Sequence, residues 1–153
     1  MTQIERRRIA MSHAFRYQAY KREVAEYREN ALSTLRSPRT DALPGSTGAG
    51  SHSDPTEHAG VRLADMPEPL RSRALWVKSV EDAWRECREE SRELAILFER
   101  NFRLTGETLG KEHNTEVREQ IMEVLGISQS TFYERLEDAA DILVYHATKR
   151  KLL

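Results

Sequence analysis

A chain of 153 residues, 39% hydrophobic and 32% charged, has room for one sizeable core, and its apolar side chains must be laid out in narrow stripes, which favours helices. The 24 basic and 25 acidic residues nearly cancel, leaving −1, so contact with nucleic acid has to come from a local arrangement rather than from bulk charge. The lone Cys87 excludes an internal disulfide and fits a reducing, cytoplasmic setting. No apolar run reaches the roughly 18 residues of a membrane span, and the basic opening MTQIERRRIA lacks the apolar stretch of a secretion signal.

The first segment, residues 1–36, is expected to be an N-terminal helix. From about residue 12, Tyr17, Tyr20, Val24, Tyr27, Ala31 and Leu35 recur at steps of three or four and define one stripe. The rest of the segment is charged, with eight basic residues against four acidic ones. Residues 37–53, SPRTDALPGSTGAGSHS, have no apolar period and read as a flexible linker. Their glycines do not form a phosphate-cradling loop, because no strand precedes them and no Gly-Lys-Ser/Thr follows.

A helical domain is expected over residues 54–153. Asp54-Pro55-Thr56-Glu57 carries a capping aspartate, a proline suited to the first turn and a glutamate that can reach back, so a short helix is predicted to about Met66. Pro67 and Pro69 end it. A long central helix then carries Leu70, Val77, Val80, Trp84, Cys87, Leu94 and Phe98 at near-heptad steps. This seam suits packing on the Tyr17 to Leu35 helix or on a second copy, which makes a homodimer through the 70–98 helix one expectation. Arg73, Ser91 and Asn101 on seam positions argue against an uninterrupted coiled coil. Trp76 and Trp84 read as core or interface anchors. Gly106 and Gly110 mark a surface connection before the last two helices.

Those two helices, residues 114–148, carry the functional signal. Asn114 or Thr115 can cap a helix with Val117, Ile121, Val124 and Leu125 facing inward, and Gly126 supplies the left-handed backbone of a sharp end. Ile127 plugs the corner, Ser128 caps the next helix, and Phe132 and Leu136 are expected to pack back on Ile121 and Leu125. That is the layout of a helix-turn-helix. It leaves Gln129, Ser130, Tyr133 and Glu134 outward, where such a helix meets the major groove. Gln129 can pair with adenine, Ser130 tolerates several base edges, and the hydroxyls of Ser128, Thr131 and Tyr133 suit phosphate oxygens. Between residues 114 and 137 the bases are only Arg118 and Arg135, against Glu116, Glu119, Glu123, Glu134 and Glu137. Phosphate contacts must therefore come from elsewhere. Lys149, Arg150 and Lys151, Lys111 and the basic N-terminal helix are the candidates.

No catalytic or metal-binding pattern is present: His13, His52, His58, His113 and His146 lie far apart, and no pair has ligand spacing with Cys87. No cofactor is expected. Cys87, next to Trp84 on the seam, reads as a buried structural thiol. The acidic residues of the long helix alternate with arginines, as on a solvated face.

At LGISQSTFYERL the sequence resembles phage-encoded transcriptional regulators of the RinA and ArpU type, whose C-terminal part is similar to the helix-turn-helix of sigma-factor region 4. The N-terminal helix with spaced tyrosines, the Gly/Ser linker, DPTEHAG at residues 54–60 and the helix with Trp76 and Trp84 extend the resemblance over most of the chain. It implies an all-α regulator of late phage or prophage genes, acting in the bacterial cytoplasm on double-stranded DNA, with host RNA polymerase as a further partner. The other reading, which the acidic recognition helix favours, is a helical assembly or adaptor protein, such as a small packaging subunit or a polymerase-binding factor.

Overall fold

The computed structural model describes residues 1–36, 62–106 and 114–153, and these contain six α-helices and no strand. They are α1 (Gln3–Ala14), α2 (Tyr17–Arg36), α3 (Leu70–Glu90), α4 (Arg92–Asn101), α5 (Asn114–Leu125) and α6 (Gln129–Lys149). The all-α expectation holds for the described residues. The linker at 37–53 and the helix start at Asp54 lie outside them. Where the short helix to Met66 becomes visible, at residues 62–66, it is a single 3-10 turn, Leu63–Asp65, entered from an extended Arg62.

The N-terminal segment is two helices rather than one. Thr2 starts α1 with a reciprocal cap: the Glu5 amide donates to its hydroxyl at 3.2 Å, and the Thr2 amide donates to the Glu5 carboxylate at 2.7 Å. The helix stops at Phe15 without glycine or proline. Before the break, Ala10 and Ala14 are buried and α1 lies on α6. After it the tyrosine stripe begins, and the Tyr17 hydroxyl donates to Glu81 at 3.0 Å.

The long central helix is also broken. Ser91 adopts an extended backbone, φ −161° and ψ 147°, and its hydroxyl accepts from the Leu94 amide at 3.0 Å, so it ends α3 and caps α4. The seam residues Val80, Cys87, Leu94 and Phe98 are buried within the single chain. The other seam residues, Leu70, Val77 and Trp84, are half-buried.

The described residues fall into two compact units, one of Met1–Ala19 with Leu75–Leu153 and one of Tyr20–Ala74. In the smaller, Val24, Met66 and Ala74 are buried, with Tyr27, Leu63 and Leu70 packed around them. Arg73 donates to Glu23 at 2.6 Å and lies 5.7 Å from the Tyr20 ring centroid. In the larger, Leu97 of α4, Val117 and Ile121 of α5 and Phe132 of α6 form one cluster, joined by Met122, Leu125, Ile127 and Leu136. Phe132 and Leu136 thus pack back on α5 as the apolar spacing predicts. Val124 does not point inward. It is 54% exposed, because Val117, Ile121 and Leu125 already fill the side of α5 that faces α4 and α6.

Beyond that cluster the second half of α6 presents Ala139, Ala140, Leu143, Val144 and Ala147 to the interior of the same unit. Small residues here let neighbouring backbones approach closely. Trp76 is buried and its ring stacks on His13 at 4.2 Å between centroids, which makes it a core anchor. Burial, helped by the nearby Arg16 charge, lowers the His13 pKa.

Candidate nucleic-acid interface

Gly126 is what lets α5 stop and the chain reverse. Its φ of 63° lies in the left-handed region, and nothing lies within 4 Å of where a side chain would begin, so the requirement is one of backbone conformation alone. The Gly126 amide donates to the Glu123 carbonyl at 3.3 Å and the Ile127 amide to the Met122 carbonyl at 3.1 Å. Together these bonds satisfy the last carbonyls of α5 in the Schellman pattern.

Ser128 then opens α6 from an extended backbone. Its hydroxyl accepts from the Thr131 amide at 3.3 Å, donates to the Thr131 hydroxyl at 3.0 Å and lies 3.3 Å from that of Ser130. Behind the cap, Phe132 is held in the cluster of α4, α5 and α6, which fixes the rotation of the helix about its axis. With that side pinned, Ser128, Gln129, Ser130, Tyr133 and Glu134 are exposed and Thr131 is half-buried. Six of the nominated residues therefore share one end and one side of α6.

The remaining three, Lys149, Arg150 and Lys151, lie at the other end of a 21-residue helix, about 30 Å from Gln129 at about 1.5 Å per residue. Lys149 and Lys151 are exposed there. Arg150 is already engaged, because its guanidinium donates to Asp82 and to the His146 carbonyl. Burial works against the charged Asp82, but the hydrogen bond and charge of Arg150, with Arg85 nearby, override it and hold that carboxyl below its ordinary range. Glu86 pairs with His146 at 2.8 Å. A polar cleft of about 540 Å³ runs over these groups, and its charges largely satisfy one another.

Arg118 is the participant that sequence spacing did not nominate. From α5 its Nη1 donates to the Tyr133 hydroxyl at 2.6 Å, and its guanidinium lies 5.7 Å from the Tyr133 ring centroid. A cation is thereby placed beside the exposed start of α6. The signal was the fifteen-residue separation across the turn, which only the packing angle of the two helices converts into a contact.

The acidic surplus of the helix pair is partly neutralised by the N-terminal helix. Arg7 of α1 donates to Asp141 with two bonds of 2.7 Å and lies 3.5 Å from Glu137, while Gln3 also donates to Asp141 at 2.7 Å. The Arg7 hydrogen bond is the chief reason that the Asp141 carboxyl sits below its ordinary range. Arg135 and Asp138 lie 4.0 Å apart on the helix surface. Glu134 has no ion-pair partner among the described residues.

Chemistry of other kinds finds little purchase. Cys87 is fully buried, and burial, with the Glu90 and Glu86 charges, pushes its thiol up to about 12, so it is no nucleophile at neutral pH. Among the described residues no three His, Cys, Asp or Glu side chains are grouped to hold a metal ion, and no helix is long and apolar enough to cross a membrane. His52, His58, His113 and Lys111 lie outside those residues. No family model, no curated protein and no solved structure matches this chain.

Proposed function

We propose that the protein is a sequence-specific DNA-binding transcriptional regulator that reads duplex DNA with the N-terminal turns of α6. In this reading α4, α5 and the first half of α6 are a three-helix helix-turn-helix unit, and α6 is its recognition helix. Gln129 and Ser130 address base edges, Ser128 and Thr131 address phosphate oxygens, and no catalytic step is involved. The observation that carries the proposal is the conjunction of a buried Phe132 with an exposed polar side at residues 128–134. That side is uncharged over its first turn, and among the described residues its one hydrogen bond to another helix is the Arg118–Tyr133 bond. The resemblance to phage regulators of the RinA and ArpU type makes control of late phage or prophage genes the corresponding biological role, in the bacterial cytoplasm and in contact with host RNA polymerase.

Selection from a pool of random-sequence duplexes tests this. The expected outcome is a recovered motif that the protein retards in the presence of excess competitor, with affinity falling as salt rises. A two-fold symmetric motif would mean that two copies bind, since one short recognition helix covers only a few base pairs. Recovery of no motif at any salt concentration would overturn the proposal and leave the assembly or adaptor role, which the five carboxylates of residues 114–137 favour.

A further inference from the structure

The proposed interface has an electrostatic gap. A helix-turn-helix takes much of its affinity from cations on the DNA backbone, yet the exposed start of α6 carries Glu134 and no basic residue before Arg135. Arg135 itself is shared with Asp138 at 4.0 Å. Of the two bases between residues 114 and 137, Arg118 alone has no carboxylate within 4.0 Å among the described residues.

Its surroundings are unusual for a surface arginine. One Nη1 proton is donated to Tyr133, and the Nε atom is sealed from solvent with no hydrogen-bond partner. A guanidinium carries five N–H groups, so three remain on the two terminal nitrogens. The side chain is half-buried, and the Tyr133 ring beneath it fixes its position at the cost of little further ordering. A positioned, carboxylate-free guanidinium beside exposed hydroxyls is the donor set that phosphate oxygens accept from.

Resting on the reading of α6 as a recognition helix, we propose that Arg118 is the cation of this interface: it donates to a phosphate of the DNA backbone, and the Tyr133 hydroxyl holds it in place. Tyr133 then acts as a positioning residue for Arg118 as well as a surface that touches DNA. This locates on α5 the phosphate contact that the sequence of α6 lacks. It also accounts for a tyrosine, rather than a second polar residue, at the exposed position beside Phe132.

The test is a comparison of the parent with Arg118→Gln, Arg118→Lys and Tyr133→Phe on one selected duplex and on random duplex, each over a range of salt. A phosphate contact carries no sequence information, so Arg118→Gln is expected to weaken both by the same factor, about tenfold. It should also reduce the slope of log affinity against log salt by about one. Arg118→Lys should restore that slope, and Tyr133→Phe should weaken binding by about threefold with the slope kept. Circular dichroism and thermal melting show which variants are folded, and Arg118→Met, which also removes the charge, takes the place of Arg118→Gln if that protein is not. Unchanged affinity and slope in a folded Arg118→Gln protein would overturn the inference and leave the regulator reading standing. Loss confined to the selected duplex would overturn it in favour of a base contact. A parent protein that binds no duplex would sink both readings together.

Discussion

The two halves of α6 are built from the same kind of sequence and end in opposite conditions. In the second half three polar groups are tied to other helices, Asp141 to Arg7 and Gln3, His146 to Glu86 and Arg150 to Asp82, and Ala139, Ala140, Leu143, Val144 and Ala147 are buried, while Tyr145, Thr148 and Lys149 are exposed. In the first half only Phe132 is buried, and the polar side chains are exposed or half-exposed, engaged by the Ser128 cap, the Arg118–Tyr133 bond and the surface ion pairs of Arg7 with Glu137 and Arg135 with Asp138. The contrast teaches that the distal half is anchored along a continuous buried run, while the proximal half is pinned at Phe132 and Leu136 and keeps Ser128 to Ser130, Tyr133 and Glu134 exposed.

The sharpest way to break this contrast is to remove the fully buried proximal side chain. Phe132→Ala should lower stability by about 3–5 kcal/mol in urea denaturation, since it empties a position shared by α4, α5 and α6. The turn comes next. Gly126→Ala places a side chain at φ 63°, which should cost about 1–2 kcal/mol although nothing crowds the site. Ser128→Ala removes the cap that receives the Thr131 amide, for about 1 kcal/mol.

Arg7→Gln acts on the committed half, and its effect depends on pH. Asp141 has an ordinary pKa of 3.8 that the Arg7 hydrogen bond lowers in the fold. A lowered carboxyl stabilises the folded state above its unfolded pKa, and the contribution is lost as pH falls through the folded value. The parent should therefore lose stability progressively below about pH 4. The Arg7→Gln protein should be less stable at neutral pH by no more than about 1 kcal/mol, because both partners are partly exposed. It should also show a shallower acid decline in a series of thermal melts. The smallest effect belongs to Gln129→Ala, which should leave stability within about 0.5 kcal/mol. A large loss there would mean that this side of α6 is structural after all.

What could be read in advance was local. Gly126, Ser128 and the step from Ile121 to Leu125 and from Phe132 to Leu136 each act within a turn or two of chain, and the turn, the cap and the packing are where that spacing puts them. The breaks at Phe15 and Ser91 were harder. Phe15 carries no breaker, and no glycine or proline in the local sequence marks the end of α1 there. At Ser91 the signal was present, a capping serine followed by Glu93 in the first turn, but a heptad count treated it as a flaw in a seam. Leu97 stayed hidden for a related reason: it is off the seam, yet it is the residue by which α4 joins α5 and α6. The pairings of Arg7 with Asp141 and of Arg118 with Tyr133 depend on how helices cross, which no periodicity in one segment reveals.

The most direct test of the display of proximal α6 is a map of backbone amide shifts in the labelled protein as a selected duplex is added. The account predicts that the largest changes fall on Ser128 to Glu134 and around Arg118, with residues 139–147 little moved. Changes centred on the Asp82–Arg150 end, or an undisturbed Gln129 and Ser130 at saturating duplex, would contradict it.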